Sequence, residues 1–189
     1  PRASLSSSRD PRTGTRVIPR RVELLDTSVL VELLGLPFMS DHKEEVEAEF
    51  IQRTERGTEL LLPLATIVET GQHVERVADG HQRRQCAHRF ARLLQATVDR
   101  EAPWSFSPTI WDPDLVAELI EPREDAVPAL ANSLARQELE MGDLLILAEF
   151  RSLRSNLDPR ARDVDVWTRD SRLRTAVDAL REGGRRRGR

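Results

Sequence analysis

Val22-Glu23-Leu24-Leu25-Asp26-Thr27-Ser28-Val29-Leu30-Val31-Glu32-Leu33-Leu34-Gly35 holds, in one short stretch, an apolar run, an acid, two hydroxyls and a second apolar run. Val22 to Leu25 has the length and composition of a buried strand. Thr27 and Ser28 offer helix-starting hydroxyls, Val29 to Leu34 continues the apolar pattern, and Gly35 with Pro37 stops it. The unit reads as strand, acid, helix.

That unit recurs. Val46, Phe50 and Ile51 mark a helix from Asp41 to Arg56, and Gly57 closes it before a second strand at Glu59-Leu60-Leu61-Leu62. Pro63 bounds this strand, and Thr66 to Val77 reads as the next helix. His81 to Asp99 is a basic amphipathic helix, and Pro103 to Trp111 is irregular with one brief strand. Two helices follow, Asp114 to Glu121 and Glu124 to Glu138. Met141-Gly142-Asp143 then separates the second of these from an apolar helix over Leu144 to Leu153. Val164-Asp165-Val166-Trp167-Thr168 reads as a strand and Ser171 to Arg181 as the closing helix. Strands alternating with helices predict an α/β fold, with a central, mainly parallel sheet of four to five strands and helices on both faces.

The chain has 189 residues, 39% of them hydrophobic, enough for one substantial core. With no Tyr, five Phe and three Trp, that core must be built from Leu, Val, Ile and Ala. A single cysteine, Cys86, excludes an intramolecular disulfide and a Cys-rich zinc site. No basic start is followed by an apolar run of signal or membrane length, so the expected setting is cytoplasmic. Charge is unevenly spread: residues 1–21 carry +5 and residues 183–189 carry +4, which leaves −12 on residues 22–182 within an overall −3. The reading is an acidic folded body over 22–182 between two basic, flexible tails, 1–21 and 183–189.

Four acids stand where strands or helices meet connections: Asp26, Glu69, Asp143 and Asp170. Each alone has a structural explanation. Thr66 with Glu69 matches a capping box, and Asp26, Asp143 and Asp170 stand at helix starts, where Asp is a favoured cap. Jointly they point elsewhere, because the carboxyl ends of parallel strands share one edge and ligands bind along it. Carboxylates gathered there raise one another's pKa unless a cation neutralises them. Oxygen donors without Cys or His suit Mg²⁺ or Mn²⁺, and a phosphodiester is the matching substrate. A Gly-rich phosphate loop and a Ser-His-Asp hydrolase order are both missing.

Leu24-Leu25-Asp26-Thr27-Ser28-Val29-Leu30 resembles the opening motif of PIN-domain ribonucleases. Thr66-Ile67-Val68-Glu69, Gly142-Asp143-Leu144-Leu145-Ile146-Leu147-Ala148 and Thr168-Arg169-Asp170-Ser171-Arg172-Leu173 are similar to the second, third and fourth. The resemblance runs from about Val22 to Arg181. It implies a three-layer α/β/α sandwich and a Mg²⁺- or Mn²⁺-dependent endoribonuclease. It further implies a homodimer and, as in VapC-type toxins, a small antitoxin-like partner. Asp26, Glu69, Asp143 and Asp170 become the catalytic, metal-holding set, with Ser28 and Thr168 as supporting polar residues. The alternative is a non-catalytic RNA- or protein-binding module whose acids serve as caps. Arg83, Arg84, Arg89 and Arg92, on the helix that also carries His81 and His88, are candidate RNA contacts or a solvated face. His42 and His73 read as structural, and Trp104, Phe106 and Trp111 as core anchors or base-stacking groups.

Overall fold

The computed structural model describes residues 20–109, 111–122, 129–158 and 162–187. The four strands are β1 (Arg20–Leu25), β2 (Glu59–Leu62), β3 (Trp104–Phe106) and β4 (Arg162–Trp167). They form one all-parallel sheet in the order β3-β2-β1-β4. Among the described residues eight helices flank it: α1 (Thr27–Leu34), α2 (Lys43–Glu55), α3 (Leu64–Glu75), α4 (Gly80–Val98), α5 (Pro113–Ile120), α6 (Leu130–Arg136), α7 (Met141–Asn156) and α8 (Ser171–Arg187).

Strand alternation divides the core between the two faces. Val22, Leu24, Leu61, Val164 and Val166 pack on one face with α7, α8 and Leu115 and Leu119 of α5. Leu25, Leu60, Leu62 and Trp167 pack on the other with α1, Val46 of α2 and Cys86 of α4. Helices on both faces of a parallel sheet make the three-layer sandwich expected from the alternation. Among the described residues no helix is long and apolar enough to cross a membrane.

Several boundaries differ from the sequence reading. β1 begins early enough to take in Arg20 and Arg21, and α8 runs to Arg187, so residues 183–187 of the expected tail are helical. Residues 1–19 lie outside the described residues, as do 124–128 of the helix predicted over Glu124 to Glu138, which is seen over Leu130–Arg136. α7 starts at Met141, so Gly142 and Asp143 lie in its first turn and not in a connection. Gly35 ends α1 in the left-handed region (φ 61°), its N–H donating to the Glu32 carbonyl; glycine adopts this conformation without steric cost.

Pairing β1 with β4 sets Glu23 beside Asp165, two buried acids in register. Like charges opposite one another destabilise a sheet unless compensated. Arg21 reaches both, donating to Glu23 and, at 2.9 Å, to Asp165. Arg53 of α2 donates to Glu23 at 2.7 Å and lies 3.9 Å over the Trp167 ring. Arg174 and Arg181 of α8 complete the set on Asp165, whose Oδ1 also accepts from the Val166 N–H at 2.8 Å. Burial alone would raise the Asp165 pKa, but the Val166 N–H and these two guanidinium groups hold it below the usual value. Asp165→Ala would take the buried carboxylate from Arg21, Arg174 and Arg181, leaving them Glu23, Asp178 and Asp163, and should cost about 3 kcal/mol in urea unfolding. Asp163→Ala, at a partner of Arg181 that is 41% exposed, should cost less than about 1 kcal/mol. Equal losses would show that the buried pairing carries no special weight.

Candidate functional site

Asp26 leaves the carboxyl end of β1 and caps α1. Its amide donates to the Trp167 carbonyl at 3.0 Å, so the β1–β4 register runs directly into the site. Its Oδ2 accepts from Ser28 Oγ at 2.5 Å, Thr168 Oγ1 at 2.7 Å and the Ser28 amide at 3.3 Å. Each hydroxyl spends its proton on Asp26 and offers a lone pair to the chain after β4. Ser28 Oγ accepts from the Arg169 amide and Thr168 Oγ1 from the Asp170 amide, both at 2.9 Å. Ser28 and Thr168 thus tie the Asp26 carboxylate to the chain after β4.

Asp170 caps α8, its Oδ1 accepting from the amides of Arg172 at 2.7 Å and Leu173 at 3.0 Å. Asp143 is the third residue of α7, and its Oδ2 accepts from the Glu140 amide at 3.0 Å. Glu69 behaves differently from its sequence pattern. With Pro63 as the cap, α3 begins at Leu64, which puts Glu69 in the second turn, beyond the free amides. Thr66 is fully buried and donates to the Leu25 carbonyl at 2.7 Å, so the capping box is not formed. Glu69 instead accepts from Thr27 Oγ1 at 2.7 Å and lies against Gly142.

The four acids share one electrostatic neighbourhood. Asp143 has its pKa raised from 3.8 to about 6, first by burial and then, against the lowering effect of the Glu140 N–H, by the charges of Asp26, Asp170 and Glu69. Among the described residues, however, no three His, Cys, Asp or Glu donors are grouped closely enough to hold a metal ion. One oxygen of each of the four carboxylates is turned onto a hydroxyl or amide of the protein. The second oxygens of Asp26, Glu69 and Asp143 take no hydrogen bond from the described residues, and that of Asp170 has only Arg172 at 3.5 Å. The donor chemistry thus fits a hard cation, with free oxygens and uncompensated charge, while the carboxylates are not drawn to coordination distance.

The basic helix α4 faces elsewhere. Arg89 donates to the Gly35 carbonyl and to Cys86 Sγ, both at 3.1 Å, at the opposite end of α1 from Asp26 and about 12 Å along that helix. Arg83 donates to the Val77 carbonyl at 2.8 Å, and Arg84 and Arg92 are exposed. Cations stand nearer the acids in Arg169 and Arg172, which flank Asp170. His42 is held through its amide by Glu32, and Trp104 packs edge-on against Phe50, both structural roles. The sequence reading passed over Thr27 and Gly142. Thr27 had a signal in its place between Asp26 and Ser28; Gly142 had one in being a glycine next to an acid, a residue used where another group must approach closely. Comparison with protein-family models, curated proteins and solved structures finds no match to this chain.

The raised Asp143 pKa has a defined sign. The folded chain holds that proton more tightly than the unfolded chain, so the stability that Asp143 contributes is fully present below 3.8 and is lost as pH rises from 3.8 to about 6. After solvent screening the loss is of the order of 1–2 kcal/mol. Glu149, its pKa raised by burial against the lowering effect of the Ser107 and Thr109 hydroxyls, adds in the same direction. Urea midpoints measured from about pH 4 to about pH 8 should decline through this window, and Asp143→Asn should remove part of the decline. Identical profiles would mean that Asp143 does not titrate with a raised pKa.

Proposed function

We propose that this chain is a Mg²⁺- or Mn²⁺-dependent endoribonuclease that hydrolyses RNA phosphodiester bonds through Asp26, Glu69, Asp143 and Asp170. The observation that carries the reading is the coupling of all four acids at Asp143, at an edge where Asp26 and Asp170 follow the carboxyl ends of two parallel strands. Helix caps are usually scattered around a fold, whereas here burial and the charges of three further acids together raise the pKa of one carboxyl to about 6, as in a cation-binding cluster before it is filled. The four carboxylates would hold the ion, which when bound supplies water acidification and neutralises charge on the phosphate.

The protein's own residues do the placing. Ser28 and Thr168 fix Asp26, Thr27 fixes Glu69, and the amides of α8 fix Asp170. An acidic cluster repels RNA, so the approach needs local positive charge. Arg172, 52% exposed beside Asp170, supplies it closer to the acids than Arg83 and Arg89 do. A cytoplasmic setting suits the buried free thiol of Cys86. A toxin role with a homodimer and a small antitoxin-like partner belongs to the same proposal.

A second reading is favoured by a separate observation: three of the acids cap their own helices and no ready-made metal group is present among the described residues. In it the chain is a non-catalytic RNA- or protein-binding module. Cleavage of structured and single-stranded RNA with Mg²⁺ or Mn²⁺, together with Mn²⁺ calorimetry, separates the two. Asp26→Asn and Asp143→Asn should each lower turnover by about a hundredfold or more and weaken Mn²⁺ binding. Stability should change by less than about 1 kcal/mol, since Asn keeps capping ability. No Mn²⁺ binding at about millimolar metal, or equal cleavage by all variants, would leave the binding-module reading standing.

A further inference from the structure

We infer that Gly142 is a positioning residue: the missing side chain at this point forms the slot that seats the Glu69 carboxylate against the first turn of α7, beside Asp143. The inference rests on the proposed nuclease site for what Glu69 does there, but the packing stands by itself. A methyl group built at Gly142 would fall on Oε1 and Cδ of Glu69 and lie 2.5 Å from its Oε2. Gly142 is buried, and it is the second residue of a helix that carries most of one face of the core. Glycine is a costly choice at a regular helical position, where alanine would be preferred. Among the described residues, the other helical glycine with a close neighbour outside its own helix, Gly71 of α3, makes the contrast. A methyl group there would meet Phe90 at 3.8 Å, an ordinary contact.

Glu69 is clamped on two sides. The Thr27 hydroxyl holds Oε2 at 2.7 Å, and the bare backbone of Gly142 receives the rest of the carboxylate. The first turn of α7 tolerates the charge because its amides present the positive end of the helix dipole. This offsets part of the repulsion between Glu69 and Asp143, and a second carboxylate can be kept there. Glu69 is flexible enough to swing away from a methyl group at 142, but only by giving up Thr27. Gly142→Ala is therefore expected to fold while expelling Glu69 from its seat.

Urea unfolding of wild type, Gly142→Ala, Glu69→Ala and the double variant provides the test, with Gly71→Ala as the control for helix propensity. Gly71→Ala should raise the midpoint. Gly142→Ala should lower it when Glu69 is present and raise it when Glu69 is replaced by Ala. An equal shift in both backgrounds would overturn the inference. Mn²⁺ calorimetry gives a readout that packing alone would not move. Gly142→Ala should weaken binding about tenfold, as Glu69→Ala does, with the double variant no weaker than either. Wild-type affinity in Gly142→Ala alongside weak binding in Glu69→Ala would overturn the positioning role. If the wild type binds no Mn²⁺, the nuclease reading fails, and the urea cycle alone decides the Gly142–Glu69 contact.

Discussion

The parallel pairing of β1 with β4, unbroken from Arg20↔Arg162 to Leu25↔Trp167, is the constraint on which the rest depends. Because side chains alternate across a strand, a slip of one residue would exchange the two faces of the sheet. Val22 and Leu24 would leave the core under α7 and α8, and the bond from the Asp26 amide to Trp167 would have no acceptor. The same register brings Thr168 onto Asp26 and puts the start of α8 beside the start of α1. The fold and the acidic site are thus consequences of one alignment.

That alignment also forces Glu23 and Asp165 together, and the chain answers with arginine. A planar guanidinium can bond to two carboxylates at once or lie flat on an aromatic ring, and Arg21 and Arg53 do each in turn. Around Trp167 the network continues: its indole N–H donates to Glu49 at 2.8 Å, and Arg169 ties to Glu45 at 3.0 Å. Much of the positive charge within the acidic body is therefore committed to holding the sheet and the connection after β4. This explains why a basic helix elsewhere on the surface is a poor guide to where a polyanion would approach.

The elements with the plainest periodicity were legible. β2 runs over the four residues read from Glu59 to Leu62, α1 stops at Gly35, and Asp26 and Asp170 stand at strand ends as their positions implied. What could not be read was set by partners distant in sequence. Thr66 and Glu69 have capping-box spacing, but β2 feeds so directly into α3 that the helix begins two residues early and both side chains turn to β1 and α1. Met141-Gly142-Asp143 looked like a break because glycine is a weak helix former. α7 passes through it, and Glu69 fills the space that a side chain would have taken. The amphipathic pattern of α4 gave the helix itself, but its orientation was fixed by the carbonyls at Gly35 and Val77 that receive Arg89 and Arg83.

β4 lies at an open border of the sheet, where unpaired backbone groups invite a foreign strand. Since the Trp167 carbonyl turns inward to Asp26, alternation turns the backbone of Val166 outward. Both of its groups are already taken: the N–H by the Asp165 carboxylate and the carbonyl by the Arg174 guanidinium. An incoming strand would find no donor or acceptor at that step and would have to displace a buried ion network to gain one. The charges that reconcile Glu23 with Asp165 therefore also close this step of the sheet border to edge-to-edge pairing.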